Sequence, residues 1–163
     1  MSTTDRIEKR VTLRAPVSRV WRAIADAKEF GQWFGFTFNV GGAPPTPPTA
    51  PSSLDGDFEV GKAMRGTLRG QLDEAAIMAR MEPERHFAFR WIPYGIDADA
   101  DPSGEPTTLV EFRLEPTADG TLLTIVESGF DRVPAHRRAR AFLMNEGGWS
   151  AQAVHLAEYV HGA

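Results

Sequence analysis

The chain has 163 residues, 42% of them hydrophobic and 25% charged, a balance typical of a globular domain and not of a disordered segment. Its formal net charge of −4 argues against a nucleic acid or an anionic membrane as partner, because such partners need a basic face. The absence of cysteine excludes disulfides, a thiolate nucleophile and cysteine-based metal centres.

The first ten residues are charged and contain no apolar stretch of the kind found in a signal peptide. No apolar run elsewhere approaches the length of a membrane span. We therefore predict a cytoplasmic protein that forms one domain over residues 1–163.

Four short elements are predicted before residue 41. Residues 7–13 alternate apolar and polar side chains, the period of a half-buried strand. Residues 17–24 carry apolar side chains at the spacing of a short helix. A second short helix is expected over residues 28–33, and the alternation over residues 34–40 predicts the second strand.

Residues 41–57 contain five prolines among small and polar side chains. Because proline lacks a backbone donor and fixes φ, this segment is predicted to be an exposed loop inserted into the domain. A pocket lid or a ligand for a proline-recognising partner is the alternative.

Further strands are predicted over residues 58–70, 75–82 and 86–92, with a turn over residues 82–85 between the last two. The clearest hairpin pairs residues 107–115 with residues 121–127 across a loop over residues 116–120.

The acidic segment over residues 95–106 resembles the start of a calcium-binding loop. Pro102 stands where that loop needs a glycine, and Thr108 stands where it needs a bidentate glutamate. We therefore predict a solvated acidic loop and no metal site.

The C-terminal stretch predicts one long amphipathic helix over residues 134–161, because its apolar residues share a stripe at about 100° per residue. That stripe consists of Ala135, Phe142, Trp149, Ala153, Leu156 and Val160. Gly147 and Gly148 lie inside this helix at a cost of about 1 kcal/mol each, so close approach of the sheet or a kink is expected there. A break that starts a second helix at Trp149 is the competing interpretation.

These elements predict an α+β domain in which a curved antiparallel sheet of about six strands wraps around the long C-terminal helix. The interior between sheet and helix is the expected place for a small apolar ligand. The side chains predicted to line it are Trp33, Phe36, Phe38, Leu68, Phe87, Phe89, Trp91, Phe112, Trp149 and Leu156. An ordinary filled core is the other interpretation of the same alternation.

No motif predicts a catalytic residue, a cofactor or a metal site, since the chain lacks nucleophile-elbow, phosphate-loop and metal-ligand spacings. Polar side chains that could act inside the interior are Glu127, His86, Arg90 and Tyr94. On strand periodicity, Arg90, Glu111, Arg113 and Glu115 are instead expected to form ion pairs on the solvent face.

The chain also resembles the SRPBCC superfamily, and within it the heat-shock-protein-90 ATPase activator homologue 1-like branch. The segments that carry the resemblance are VWRAIADAKEFGQWFGF at residues 20–36, MEPERHFAFRW at 81–91, TTLVEFRLEPTADGTLLTIVESGFD at 107–131 and NEGGW at 145–149. The resemblance implies a helix-grip fold of the START or Bet v 1-like type.

That superfamily contains lipid and hormone carriers, polyketide cyclases and aromatases, and the domain that names the branch. The resemblance therefore implies three hypotheses: a binding protein for a small hydrophobic or aromatic ligand, a cyclase or aromatase-like enzyme, and a chaperone-associated interaction domain. It assigns no catalytic residue and no cofactor. A homodimer is a further possible assembly.

Overall fold

Seven strands and three α-helices make up the described part of the chain, which in this computed structural model comprises residues 6–34, 37–40, 60, 63–68, 71–91 and 107–162. The strands are β1 (Arg6–Leu13), β2 (Thr37–Val40), β3 (Ala63–Leu68), β4 (Gln71–Glu82), β5 (His86–Trp91), β6 (Thr108–Thr117) and β7 (Gly120–Ser128). The α-helices are α1 (Val17–Ala25), α2 (Ala27–Phe34) and α3 (Ala135–Gly162), and a short 3-10 helix spans Phe130–Arg132. The predicted α+β helix-grip class is confirmed.

The strands form a single antiparallel sheet in the order β1-β7-β6-β5-β4-β3-β2, so β1 and β2 are its two edges. Ile7 pairs with Glu127, Phe87 with Phe112, and Trp91 with Thr108. Since paired residues point to the same side of a sheet, this register gathers the aromatic side chains of β5 and β6 on the face that α3 covers.

Two predicted boundaries are wrong by a few residues. The second strand begins at Thr37, because Phe34 is the last residue of α2. The predicted five-residue loop over 116–120 is a two-residue turn, since Pro116 pairs with Thr121 and Thr117 pairs with Gly120. Proline is tolerated there because Leu114 already bonds to the Arg85 carbonyl, just before β5, and the partner strand extends no further.

Helix α3 is continuous over 28 residues, so the competing prediction of a new helix at Trp149 is wrong. A Cβ added at Gly147 or Gly148 would have no atom within 4 Å, so close approach of the sheet does not account for these glycines. In the described ranges no helix combines the length and hydropathy needed to cross a membrane.

The long helix packs chiefly along β1 and α2. Lys9 Nζ lies 2.7 Å from Glu146 Oε1, and the backbone N–H of Arg14 donates to His161 Nε2 at 2.8 Å. Because one contact lies in the middle of β1 and the other just past its end, the helix runs beside this edge strand.

The core lies between the helices and the inner face of the sheet. Phe30, Phe87 and Phe112 are each at most 1% exposed, and the last two rings stack at 5.9 Å. Full burial of one such side chain contributes about 1.5–3 kcal/mol, so this aromatic cluster is a major source of stability.

Gly120 is required by the close approach of β1 to the β6–β7 turn. Its φ is +157°, and an added Cβ would lie 2.0 Å from the carbonyl oxygen of Leu13. We expect Gly120→Ala to lower the free energy of unfolding by about 2 kcal/mol or more, since the two chain segments must separate. Urea denaturation measures this loss, and an unchanged midpoint would contradict the geometry of the turn.

The glycine pair in α3 gives the opposite expectation. Because Gly147 and Gly148 face open space, replacing either with alanine should raise the free energy of unfolding by up to about 1 kcal/mol through helix propensity alone. The same denaturation experiment tests it. A loss of stability would mean that a side chain meets an obstacle at these positions.

Candidate functional site around Glu127

A carboxylate occupies a position in β7 where the strand pattern calls for an apolar side chain. Leu123, Ile125 and Glu127 alternate onto the inner face, and all three are buried, Glu127 with 0% exposure. An unpaired carboxylate in an apolar interior is strongly unfavourable, so the partners of Glu127 decide whether the fold tolerates it.

Four side chains from three other elements donate hydrogen bonds to Glu127. Trp149 Nε1 of α3 donates to Oε1 at 2.7 Å, and Trp91 Nε1 of β5 donates to Oε2 at 2.8 Å. Thr108 Oγ1 of β6 donates to Oε2 at 2.5 Å. Asn145 Nδ2 of α3 spans both oxygens, at 2.9 Å and 3.1 Å. We call these five residues the Glu127 cluster.

The chemistry of these donors fits an ionised carboxylate. An indole N–H can donate but cannot accept, so neither tryptophan could take a hydrogen bond from a protonated Glu127, and of the four partners as they are oriented only the Thr108 hydroxyl could. The two oxygens offer about four acceptor sites, and the donors fill them. Hydrogen bonds to a charged acceptor are shorter and stronger than neutral ones, which stabilises this arrangement.

The chain brings the cluster together by simple periodicities. Trp91 and Thr108 are a directly paired cross-strand couple. Val110 pairs with Glu127, which sets Glu127 beside the start of β6. Asn145 and Trp149 are four residues apart and so share one face of α3. The cluster therefore joins the helix to three adjacent strands.

Aromatic rings surround this polar group. The ring centroids of Trp91 and Trp149 are 5.7 Å apart at an interplanar angle of 35°. Phe112 meets Trp149 edge-on at 5.7 Å, and Phe89 meets Trp91 edge-on at 5.4 Å. Trp149 is 2% exposed, whereas Trp91 is only half-buried, so Trp91 is the ring of this pair that the solvent reaches.

The residues predicted to line the interior fall into three groups. Trp91 and Trp149 belong to the Glu127 cluster. Phe87, Phe89, Phe112, Leu156 and Trp33 are buried in the core, where Trp33 also donates its indole N–H to the Ala23 carbonyl at 2.8 Å. Phe38 and Leu68 lie in β2 and β3, but their side chains, like all of Phe36, are outside the described residues. Their role in lining a ligand cavity stays a prediction.

Of the polar candidates, Glu127 alone among the described ones reaches the interior. His86 Nε2 lies 2.9 Å from Glu111 Oε1, and Arg113 Nη2 lies 3.2 Å from the same oxygen. These three side chains line a surface cleft of about 890 Å³ on the outer side of the sheet. Arg90 is exposed, and Tyr94 is outside the described residues.

Two members of the cluster, Thr108 and Asn145, were not anticipated from the sequence. Two features of the sequence indicate the cluster in retrospect. Glu127 is in phase with the apolar Leu123 and Ile125, and Asn145 lies four residues before Trp149. Polar residues that fall on an apolar face point to one another when the face is buried, because each needs a partner there.

A second polar group holds the far end of α3 against α1 and α2. The Tyr159 hydroxyl donates to Glu29 Oε1 at 2.9 Å, and Arg19 Nη1 donates to the same oxygen at 2.8 Å. Burial, followed by the Glu29 hydrogen bond, raises the pKa of the Tyr159 phenol, which keeps it a donor. The helix is thus held at the Glu127 cluster and again near its C-terminal end.

The sequence of the chain matches one known protein family. The sequence profile described as "Activator of Hsp90 ATPase homolog 1-like protein" matches residues 14–161. No curated protein matches the chain.

Solved structures share the fold at low sequence identity. Protein MLL2253 from Mesorhizobium loti has a TM-score of 0.70 at 19% identity, over 97% of this chain and 98% of that one. DynU16, described as "a putative protein in the dynemicin biosynthetic locus", has a TM-score of 0.65 at 23% identity, over 96% of this chain and 47% of that one. The Aha1 dimer from Colwellia psychrerythraea has a TM-score of 0.63 at 12% identity, over 94% of this chain and 93% of that one.

Glu127→Gln tests how much the Glu127 cluster contributes to the free energy of unfolding. The amide keeps the shape of the side chain but turns an NH₂ group toward the surrounding donors, so we expect the free energy of unfolding to fall by about 3 kcal/mol. Urea denaturation followed by circular dichroism measures it.

The matched control is Glu146→Gln, which removes the half-exposed carboxylate that pairs with Lys9. A surface pair of this kind is worth less than about 1 kcal/mol. Equal losses for the two variants would contradict a special contribution from the buried cluster.

Proposed function

Because the chain belongs to the activator of Hsp90 ATPase homolog 1-like family of the SRPBCC superfamily, we propose that it binds a small hydrophobic or aromatic molecule between the inner face of the sheet and α3. The proposal assigns no bond chemistry to the protein.

The observation that carries the proposal is how Glu127 orients Trp91 and Trp149. Both indole N–H groups point at the carboxylate, so the polar edge of each ring is already used. Trp91 is half-buried, so part of this residue reaches the surface, and its ring is apolar apart from the N–H that Glu127 already accepts from. A rigid aromatic wall of this kind favours flat apolar ligands, because little ordering is left to complete on binding.

The energetics of Glu127 support a role beyond stability. A buried charge can often be replaced by an apolar side chain of similar volume without loss of stability. Here the Glu127 carboxylate fixes the orientation of the Trp91 and Trp149 rings. Fixed rings give the interior a defined shape, which folding alone does not require.

A cyclase or aromatase-like enzyme is the second candidate, and Glu127 is the interior acid or base it would use. The location of DynU16 in a biosynthetic locus is compatible with such a role, as a property of that protein. Against it, the acceptor positions of Glu127 are filled by donors, so proton transfer would first require one of them to leave.

An interaction domain that contacts a chaperone has one feature in its favour. On α3, Leu143 is 66% exposed, Met144 47% and Val154 55%. Exposed apolar side chains of this size can contribute to a protein interface when they are contiguous.

Two further expectations from the sequence, a homodimer and a cytoplasmic location, stay predictions.

The ligand-binding proposal predicts saturable binding of a flat neutral molecule such as 9-anthracenemethanol. The binding is measured by the quenching of tryptophan fluorescence during a titration. Trp91→Ala should weaken this binding about tenfold, the loss expected when one stacking ring worth about 1.4 kcal/mol is removed.

Ile77→Ala is the control, because Ile77 pairs with the exposed Arg90 and lies on the outer side of the sheet with 49% exposure. It should leave the affinity unchanged. Absence of saturable binding by any flat apolar probe, together with native mass spectra free of a copurified ligand, would sink the proposal.

A further inference from the structure

The Glu127 cluster carries a net negative charge that its own partners do not neutralise. Trp91, Trp149, Asn145 and Thr108 are all neutral donors. Within the ranges that the structure describes, Glu127 has no hydrogen bond or ion pair to a lysine, arginine or histidine. Neutral donors solvate the carboxylate, but they leave its charge in place.

Lys9 of β1 and Glu146 of α3 form a pair of opposite charges on the elements that cover this layer. Lys9 precedes Val11 on the inward side of β1, and its ammonium group lies 2.7 Å from Glu146 on α3. This ion pair contributes no net charge to the interior. Within the described part of the chain, Glu127 is therefore a buried acidic group whose hydrogen-bond partners are all neutral.

We infer that the interior selects its ligand by charge, taking up flat aromatic molecules that carry a protonated amine or another cationic group and rejecting anionic ones such as fatty acids. The inference rests on the proposed ligand-binding function and names the chemical class that the site accepts.

The two indole rings contribute to this preference for a cationic ligand. The face of an indole ring attracts cations, and tryptophan does so best among the aromatic side chains. Donation of both N–H groups to a carboxylate increases the electron density of each ring. A cation beside the partly exposed Trp91 would also interact with the charge of Glu127, and in an interior of low polarity charge interactions are several-fold stronger than in water.

The same geometry disfavours an anionic head group. A carboxylate beside Trp91 would meet the repulsion of Glu127 and would find no free donor, because the two indole N–H groups, the Asn145 amide and the Thr108 hydroxyl already donate to Glu127. A neutral aromatic molecule meets neither effect and should bind with intermediate affinity.

Three anthracene derivatives of one shape test the inference on the full chain: 9-(aminomethyl)anthracene as the cation, 9-anthracenemethanol as the neutral compound and 9-anthracenecarboxylate as the anion. Titration at neutral pH should show the amine binding at least tenfold more tightly than the alcohol. The carboxylate should bind at least tenfold more weakly than the alcohol.

Salt separates the buried charge from the overall charge of −4 on the chain. Attraction to surface charges is screened at high ionic strength, whereas an interaction with a buried group is screened much less. The tenfold preference should therefore persist in 0.5 M sodium chloride. A preference that disappears in salt would overturn the inference.

Glu127→Gln removes the charge and should bring the affinities for the amine and the alcohol within about twofold of each other. Glu82→Gln is the matched control, because Glu82 is a half-exposed carboxylate that pairs with Arg80 and lies beside His86, at the end of β5 opposite Trp91. It should keep the tenfold preference. If Glu127→Gln fails to fold, the three ligands and the salt series on the unmodified protein decide the question.

The outcomes also separate this inference from the function on which it rests. If no anthracene binds saturably, ligand binding itself fails. If all three bind with similar affinity, ligand binding stands and charge selection is wrong.

Discussion

The burial of one carboxylate, Glu127, is the interaction on which the described architecture depends. Taking such a group out of water is unfavourable by several kcal/mol, so it is tolerated only where donors surround it. The donors come from β5, β6 and α3, and the two donors of α3 can reach Glu127 only when the helix lies in the observed position against the sheet. The polar cluster thereby specifies how the helix is placed, which apolar packing alone does loosely.

This requirement explains why an apolar interior keeps a polar centre. Phe87, Phe89 and Phe112 are buried in this layer, and apolar rings of this kind would pack against many apolar helix faces. Asn145 and Trp149 fix the orientation of α3 relative to the sheet, because hydrogen bonds weaken steeply when the distance or the angle is unsuitable. Stability and orientation are thus supplied by different side chains in the same layer.

The fold was largely predictable. Alternation over β1, β5, β6 and β7, together with the stripe of α3, follows from periods of two and 3.6 residues, which are local properties of the chain. Strand ends were less predictable: Pro116 continues β6 as the partner of Thr121, whereas a proline in a strand pattern usually indicates the end of the strand. The continuity of α3 through Gly147 and Gly148 likewise depended on packing at its other residues.

By itself, the sequence determined the element order, the inward position of Glu127 in β7 and the shared helix face of Asn145 and Trp149, because each depends on spacing along one segment. Only the tertiary structure decided that these side chains, with Trp91 and Thr108, meet at a single carboxylate. Their meeting depends on strand register and on the placement of α3, which are relations between segments far apart in the chain. For that reason the sequence pointed to an apolar interior, and the structure revealed the buried carboxyl group within it.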